Sequence, residues 1–350
     1  MSENRSTQKA RTAPDPEFPG KPETPPKVER ETWKYVARRT AQEFSRDHCP
    51  DLAAGLTYYG VLSLFPALLA LVSLLGLFGQ AGRTTDALLD AVSTVAPPDA
   101  VDLLRSLIEE LVASPTAGLA FVVGILGAIW SASGYVGAFS RAMNRIYEID
   151  EGRPFWKLRP ALILMTIVAL LLVAVMGVIL AVSGPVLSAI GEALGIGEAA
   201  IAVWNVIKWP ILVALAVVTV ALLYYVTPNV KQPKFRWLSM GALIALVVLA
   251  LASLAFSFYV SNFANYNRTY GAIGGVIILL LWIFLANLAL LFGAEFDSET
   301  ERGRQLQGGI EAEHTLQLPP RDDAKTQKRQ EQDDKTAAIG RRIRENHDDR

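Results

Sequence analysis

The segment of residues 270–296 is the sequence feature that most constrains the fold of this chain. Its interior, residues 272–294, contains no charged residue and no proline, and Asn287 is its one strongly polar side chain. At about 1.5 Å per helical residue, such a run is long enough to cross a hydrocarbon core of about 30 Å. The sequence therefore predicts a transmembrane helix here, and with it a membrane protein.

Five further apolar blocks occur along the chain, separated by polar connections. The hydrophobic content is 51%, and its concentration in blocks of about 20 residues is typical of a polytopic membrane protein. The interval 80–116 is predicted to be extracytoplasmic, and residues 186–202 a loop with a short surface helix. We predict an all-α fold, a bundle of six transmembrane helices that span about residues 52–78, 117–137, 161–183, 203–227, 237–260 and 271–295.

The two ends of the chain differ in composition from the bundle. Residues 1–27 are rich in proline and charge, and residues 303–350 in charge and glutamine, so neither has enough apolar surface to offset the entropy of ordering. We predict two disordered tails around one membrane domain, residues 28–302. Residues 28–45 read as a basic amphipathic helix, which lies either along the membrane surface or on the protein's own cytoplasmic face.

Lysine and arginine alternate between the connections. They are dense before the first span, between the second and third spans, and between the fourth and fifth, whereas the other connections hold only Arg83, Arg105, Lys208 and Arg268. The positive-inside rule places the basic connections in the cytoplasm. This alternation requires an even number of spans, so the sequence predicts six spans with both termini cytoplasmic.

Sequence motifs of enzymes are absent. The three histidines, His48, His314 and His347, lie in the amino-terminal connection and the carboxyl-terminal tail, so they cannot form one buried metal site. No GxxxxGK[ST] phosphate loop, HExxH zinc motif or GxSxG serine elbow occurs. Cys49 is the only cysteine, which excludes a disulfide framework. We predict a protein that is not an enzyme, with no catalytic residues, metal, cofactor or nucleic-acid partner.

Polar side chains within the spans are the candidate functional residues, because each is costly in lipid and normally faces the interior of a bundle. Arg141 and Glu295 are predicted at the cytoplasmic ends of their spans, where they form either a structural ion pair or a charged gate. An asparagine placed like Asn287 is more often an interhelical hydrogen-bond partner, in a bond worth about 1 kcal/mol, than a ligand of a substrate. The predicted substrate-path or gate residues are Arg141, Asn144, Asn287, Glu295, Arg268 and Tyr270.

Glycines form a second set of candidates, for close packing of helices. Gly271 and Gly275 have the GxxxG spacing that lets a second transmembrane helix approach closely. The helix-packing residues predicted from the sequence are Gly271, Gly274, Gly275, Gly134 and Gly137.

Four stretches taken together resemble a known family. They are DLAAGLTYYGVLSLFPALLAL (residues 51–71), WSASGYVGAFSRAMNRIYEI (130–149), YYVTPN (224–229) and the segment 270–296. Their order and spacing are similar to those of the YihY/BrkB family of bacterial inner-membrane proteins, a group once labelled ribonuclease BN. The resemblance covers about residues 28–299. It implies six transmembrane helices in the bacterial inner membrane, and a transporter or flippase for an amphipathic molecule.

Three hypotheses for the function follow. The first is a transporter or flippase for a lipid-like or amphipathic solute, with membrane lipids as its surroundings and an amphipathic molecule as its substrate. The second is a non-transporting membrane scaffold, involved in envelope integrity or serum resistance, whose basic helix and tails recruit partners or anionic lipid. The third is the ribonuclease of the older family label, for which the sequence offers neither metal ligands nor a placed general base.

Overall fold

A computed structural model describes residues 5–77, 117–181, 198–232, 235–263 and 272–348 of the chain. Within these ranges the regular secondary structure is helical, which confirms the predicted all-α class. The described α-helices are α1 (Arg5–Thr12), α2 (Arg30–Arg46), α3 (Cys49–Leu77), α4 (Ala117–Ile146), α5 (Phe155–Ala181), α6 (Glu198–Val226), α7 (Phe235–Phe263), α8 (Ala272–Gln307) and α9 (Ala324–Asp348).

Five of the described helices, α4 to α8, are long and apolar enough to cross a membrane. They contain most of the predicted second to sixth spans. The predicted first span, residues 52–78, falls on α3, a helix of 29 residues whose side chains are described only as far as residue 63. The count of six spans therefore stays a prediction. The predicted segment 80–116, and residues 186–202 up to the start of α6, lie outside the described residues.

The long helices follow one another around a closed ring in chain order. α3 packs on α4, α4 on α5, α5 on α6, α6 on α7 and α7 on α8, and α8 closes the ring against α3. α8 also packs against α2 and α4, so it is the helix on which much of the bundle is assembled.

The buried core lies toward one end of the ring. Phe139, Tyr224 and Leu291 are fully buried there. The rings of Tyr135, Phe139 and Tyr224 form a stack with centroid separations of 6.4 and 6.1 Å. Elsewhere, large apolar side chains face outward, and Leu254 is 69% exposed. Exposed apolar surface on helices of this length is the surface that lipid covers.

Both ends of the chain pack on what we call the polar end of the bundle, the end that contains the loops 147–154 and 227–232. Lys9 Nζ donates to the carbonyl oxygen of Glu148 at 2.9 Å, and Lys21 forms a buried ion pair of 2.7 Å with Glu301. Charged and polar groups of the bundle thus contact parts of residues 5–27 and 303–330, which the sequence analysis assigned to disordered tails. A low apolar content does not exclude such polar contacts. From residue 331 onward the described part of α9 is mostly exposed.

α2 lies against α8 at the polar end. Its Trp33 ring stacks on Phe296 with a centroid separation of 6.1 Å, and its Phe44 ring meets Phe292 edge-on at 5.8 Å. Val36, on the same face, is fully buried. The apolar stripe of α2 therefore packs against α8. This corresponds to the interpretation in which residues 28–45 lie on the protein's own face rather than along the membrane surface.

Close approach of α7 and α8 depends on two glycines that the sequence analysis did not single out. A Cβ atom added at Gly293 would lie 2.5 Å from the carbonyl oxygen of Gly241 and 2.6 Å from the Cβ of Ala245. A Cβ atom added at Gly241 would overlap the carboxylate of Asp297. Only glycine fits at either position without moving backbone or buried side chains.

The predicted packing glycines differ from this pair. A Cβ atom at Gly134 would meet Tyr59 at 3.6 Å, and one at Gly137 would meet Leu162 at 3.7 Å, both ordinary van der Waals separations. Gly274 and Gly275 lie near the start of α8, and Gly271 lies outside the described residues. The GxxxG prediction is therefore untested, and the tight contact of α8 is found at its other end.

We expect Gly293→Ala to destabilise the protein by about 1–3 kcal/mol, because the added methyl group overpacks a site closed by backbone. Gly55→Ala is the matched control, since it is also a helical glycine and has no atom within 4 Å of its added Cβ. Thermal unfolding of the detergent-solubilised variants measures both effects. Equal midpoints for the two variants would contradict the packing described here.

Candidate functional site

The main candidate site is a cavity of about 480 Å³ where α3, α4, α5 and α9 meet at the polar end. We call it the basic pocket. Its volume is within the range of about 300–1,000 Å³ found for small-molecule sites. The lining residues are Tyr59, Ser133, Gly134, Gly137, Ser140, Arg141, Glu151, Phe155, Leu158, Arg159, Leu162, Lys325 and Arg329.

Positive charge dominates the polar lining of the basic pocket. Arg141 comes from α4, Arg159 from α5, and Lys325 and Arg329 from α9. In the described part of the chain none of these four cations forms an ion pair. The one carboxylate in the lining, Glu151, already accepts hydrogen bonds from Arg153 and Asn144. Cations brought together without carboxylate partners repel one another, so this pocket favours an anionic ligand.

Aromatic rings hold the two arginines in place. The guanidinium carbon of Arg141 lies 5.8 Å from the ring centroid of Tyr59. That of Arg159 lies 5.3 Å from the ring of Trp130 and 6.0 Å from the ring of Phe155. These are cation–π separations, each worth about 0.5–2 kcal/mol. Such contacts position a guanidinium without neutralising it.

The start of α9 is fastened beside the pocket by polar contacts with two loops. Lys157 Nζ and Asp322 form an ion pair of 2.6 Å, and the Lys157 ammonium holds the pKa of that carboxyl below its usual range. Asn229 Nδ2 donates to the carbonyl oxygen of Asp322 at 2.7 Å. The amide of Lys325 donates to the carbonyl oxygen of Gly152 at 2.8 Å. Two of the four pocket cations are thus delivered by a segment predicted to be disordered.

Arg153 connects the two loops of the polar end. Its guanidinium donates to Glu151 through Nε at 2.8 Å and through Nη2 at 2.6 Å. The same Nη2 donates to the carbonyl oxygen of Thr227 at 2.7 Å, and the side chain is only 7% exposed. Arg153 therefore neutralises Glu151, the one carboxylate in the lining of the basic pocket.

Asn144, a predicted path residue, has a connecting role of the same kind. Its Nδ2 donates to Glu151 at 3.0 Å, and its Oδ1 accepts the amide of Asn229 at 2.7 Å. Both Asn144 and Asn229 are buried. Asn144 and Arg141 also line a second, open groove of about 610 Å³ at the polar end, so Arg141 stands between the groove and the basic pocket.

Two other predicted path residues, Asn287 and Glu295, are not brought together with Arg141. Asn287 is 3% exposed, and it accepts a hydrogen bond of 2.7 Å from Tyr135 and donates to Thr57 at 3.3 Å, which is the interhelical role considered above. Glu295 is 1% exposed, and in the described residues no ion pair joins it to Arg141. The described contact of Glu295 is with the Cys49 thiol, at 3.4 Å. Arg268 and Tyr270 lie outside the described residues.

A buried charge network at the polar end was not found by sequence reasoning. Arg302 Nη2 donates to Glu148 at 2.6 Å, and Arg302 Nε donates to Glu299 at 2.9 Å. Glu148 also accepts the amide of Leu316 at 3.2 Å, and its backbone has a positive φ of 51°. Residues 299 and 302 are three apart on a helix, and this spacing of opposite charges was the available signal.

The helix lengths, the apolar outer surface and the polar end together define a polytopic α-helical membrane protein with a basic pocket at one end. The described residues hold no group of three or more His, Cys, Asp or Glu side chains arranged for a metal ion. The profile of the family described as "Virulence factor BrkB" matches residues 40–315. The chain belongs to that family, as the sequence resemblance predicted.

Named relatives support the membrane assignment. The chain is 31% identical over 254 residues to the ribonuclease-like protein YfkH of Bacillus subtilis, covering 73% of this chain and 90% of that protein. It is 30% identical over 263 residues to a UPF0761 membrane protein of Alkalilimnicola ehrlichii, covering 75% of this chain and 56% of the other. A UPF0761 membrane protein of Aggregatibacter aphrophilus is 29% identical over 264 residues, 75% of this chain and 91% of its own length. No solved structure matches the chain.

We expect Arg153→Ala to destabilise the protein by about 3–5 kcal/mol, because it leaves the Glu151 carboxylate without its cation in a mostly buried setting. Lys157→Ala removes an ion pair of similar length from a lysine side chain that is 63% exposed, and should cost about 0–1 kcal/mol. Chemical unfolding in detergent compares the two. If Lys157→Ala lowered the free energy of unfolding as much as Arg153→Ala, burial would not explain the contribution of Arg153 to stability.

Proposed function

We propose that this protein binds the negatively charged head group of an amphipathic lipid in the basic pocket and moves that lipid between the two leaflets. We place it in the bacterial inner membrane with its polar end, and therefore both termini, in the cytoplasm. The observation that carries the proposal is a set of four cations, without ion-pair partners in the described part of the chain, in a cavity beside the lipid-facing surface. The membrane character of the family and of its named relatives supports the location.

The charge of the pocket supports an anionic head group. Arg141, Arg159, Lys325 and Arg329 converge on one cavity, while its carboxylate is engaged by Arg153. Basic pockets between transmembrane helices on the cytoplasmic side are a recurrent way to bind lipid head groups. Arginine is suited to this role because its planar fork of donors matches a phosphate or carboxylate group.

The walls of the pocket support a ligand that is part apolar. Leu158 and Leu162 line it together with the aromatic rings of Tyr59 and Phe155. Phe155 is also 69% exposed on the outside of the protein, and the neighbouring Trp130 is 68% exposed. A lipid can therefore place its head group among the cations while its chains lie along the outer apolar surface of α4 and α5.

The orientation rests on the distribution of basic residues. The basic helix α2, both chain ends and the loops 147–154 and 227–232 meet at the polar end through the contacts described above. The basic residues in and around these two loops are Arg141, Arg145, Arg153, Lys157, Arg159 and Lys231. The positive-inside rule assigns such an end to the cytoplasm. Reporter fusions at the two termini test this part of the proposal, and an extracytoplasmic carboxyl terminus would overturn it.

We expect Arg159→Ala and Arg141→Ala each to reduce the movement of an anionic lipid about fivefold, because each removes about 1 kcal/mol of attraction. The full chain is reconstituted into phosphatidylcholine vesicles that contain a trace of fluorescent phosphatidylglycerol. Dithionite quenches the probe in the outer leaflet, and the rate at which inner-leaflet probe becomes quenched measures lipid movement. Lys328→Ala is the matched control, since this exposed lysine on α9 does not line the pocket.

Two results would count against the proposal. If lipid moved between leaflets no faster in vesicles with the protein than in empty vesicles, the proposed transport would be wrong. If Arg159→Ala and Lys328→Ala had equal effects, the proposed role of the basic pocket would be wrong. Preference for phosphatidylglycerol over phosphatidylcholine probe, lost in the Arg141 and Arg159 variants, is the expected selectivity.

A further inference from the structure

A buried carboxylate on α8, separate from the basic pocket, has no charged partner among the residues that the structure describes. Glu295 is 1% exposed. Its Oε1 accepts a hydrogen bond of 3.4 Å from the Cys49 thiol, which is a weak donor. Its Oε2 is buried and has no hydrogen-bond partner. Glu295 lines neither the basic pocket nor the open groove.

The groups that face Glu295 do not provide the missing positive charge. The nearby ionisable groups on the elements packed around it are mostly acidic or neutral. Arg145, the cation on α4, forms an ion pair of 3.6 Å with Asp47, and Arg39 forms one of 2.7 Å with Glu43. The facing groups are Arg39 and Glu43 on α2, Asp47 in the turn after it, Cys49 on α3, Arg145 and Tyr147 at the end of α4, and Glu299 on α8.

An ionised carboxylate in this setting would be strongly unfavourable. The free energy needed to bury an unpaired charge is larger than the free energy gained from any single contact. A carboxylate in such a site therefore takes up a proton instead. A protonated Glu295 is neutral beside Asp47 and Glu299 and still accepts the Cys49 thiol. The acid form leaves only a neutral hydroxyl without a described partner, whereas the ionised form would leave a buried charge.

From this geometry we infer that Glu295 is a proton-binding site, occupied while α3 is docked on α8 and emptied when that contact opens. The step is a simple dissociation: the carboxylic acid O–H bond breaks, the proton goes to water at the polar end, and the carboxylate keeps the electron pair. Since the docked state binds the extra proton, docking is favoured at low pH and weakened as the pH rises.

Cys49 provides a reporter for this opening. It is the only cysteine of the chain, it is fully buried, and it touches the carboxyl in question. A maleimide can reach its thiol only when the start of α3 separates from α8. Labelling of the folded protein, divided by labelling of the denatured chain at the same pH, corrects for the ionisation of the thiol itself and measures opening.

We expect this corrected labelling rate to rise about tenfold or more between about pH 6 and about pH 10, a range over which a carboxyl in an apolar site ionises. Glu295→Gln should keep the rate low throughout, because the amide is isosteric with the protonated acid and cannot lose a proton. Infrared difference spectra should show the carbonyl stretch of a protonated carboxylic acid that disappears in Glu295→Gln.

Asp51→Asn is the control. Asp51 lies two residues from Cys49 on α3, but its side chain is 85% exposed. This variant should keep both the infrared band and the pH-dependent labelling. A wild-type labelling rate that is flat with pH, or an infrared band unchanged in Glu295→Gln, would overturn the inference. A Glu295→Gln protein that fails to fold would overturn it as well, because a neutral isostere must substitute for a neutral acid. None of these readouts requires lipid movement, so the inference stands or falls separately from the proposed function.

Discussion

The structure depends on how the polar half of α8 is neutralised. α8 has 36 residues, which at about 1.5 Å per residue exceeds what a hydrocarbon core of about 30 Å requires. Its first part is apolar and faces outward, while Glu299, Glu301, Arg302 and Arg304 in its last part are buried. Buried charges are tolerated only when they are paired and hydrogen-bonded. Some of these partners are on α8 itself or in the loop after α4, and the chain ends add the Lys21 ammonium and the carbonyl oxygens of Pro22 and Ala312.

Glu148 shows how closely these partners are linked. Its backbone has a left-handed conformation, which costs a non-glycine residue about 1–2 kcal/mol. Its carboxylate accepts hydrogen bonds from Arg302 and from the amide of Leu316, and its carbonyl oxygen accepts one from Lys9. One residue thus joins α1, the end of α4, α8 and the carboxyl-terminal segment. The conformational cost is offset by charge-assisted hydrogen bonds.

The sequence was informative wherever one segment determines its own environment. Uninterrupted apolar runs such as residues 272–294 predict a spanning helix because length and hydropathy are local properties. The pairing of Glu148 with Arg302, and of Asp322 with Lys157, joins residues more than 150 positions apart. No periodicity encodes such pairings. The glycine prediction was limited for the same reason, because the space at Gly293 is determined by Gly241 and Ala245 on another helix.

The place of α9 has a consequence for how the protein matures in the cell. Half of the cations of the basic pocket, Lys325 and Arg329, belong to the last helix of the described chain. The spanning helices are synthesised earlier and can enter the membrane before that helix leaves the ribosome. A newly inserted bundle therefore has a cavity with only Arg141 and Arg159 in it. All four cations of the basic pocket are present only after synthesis has passed beyond residue 329, which is later than the synthesis of the spanning helices.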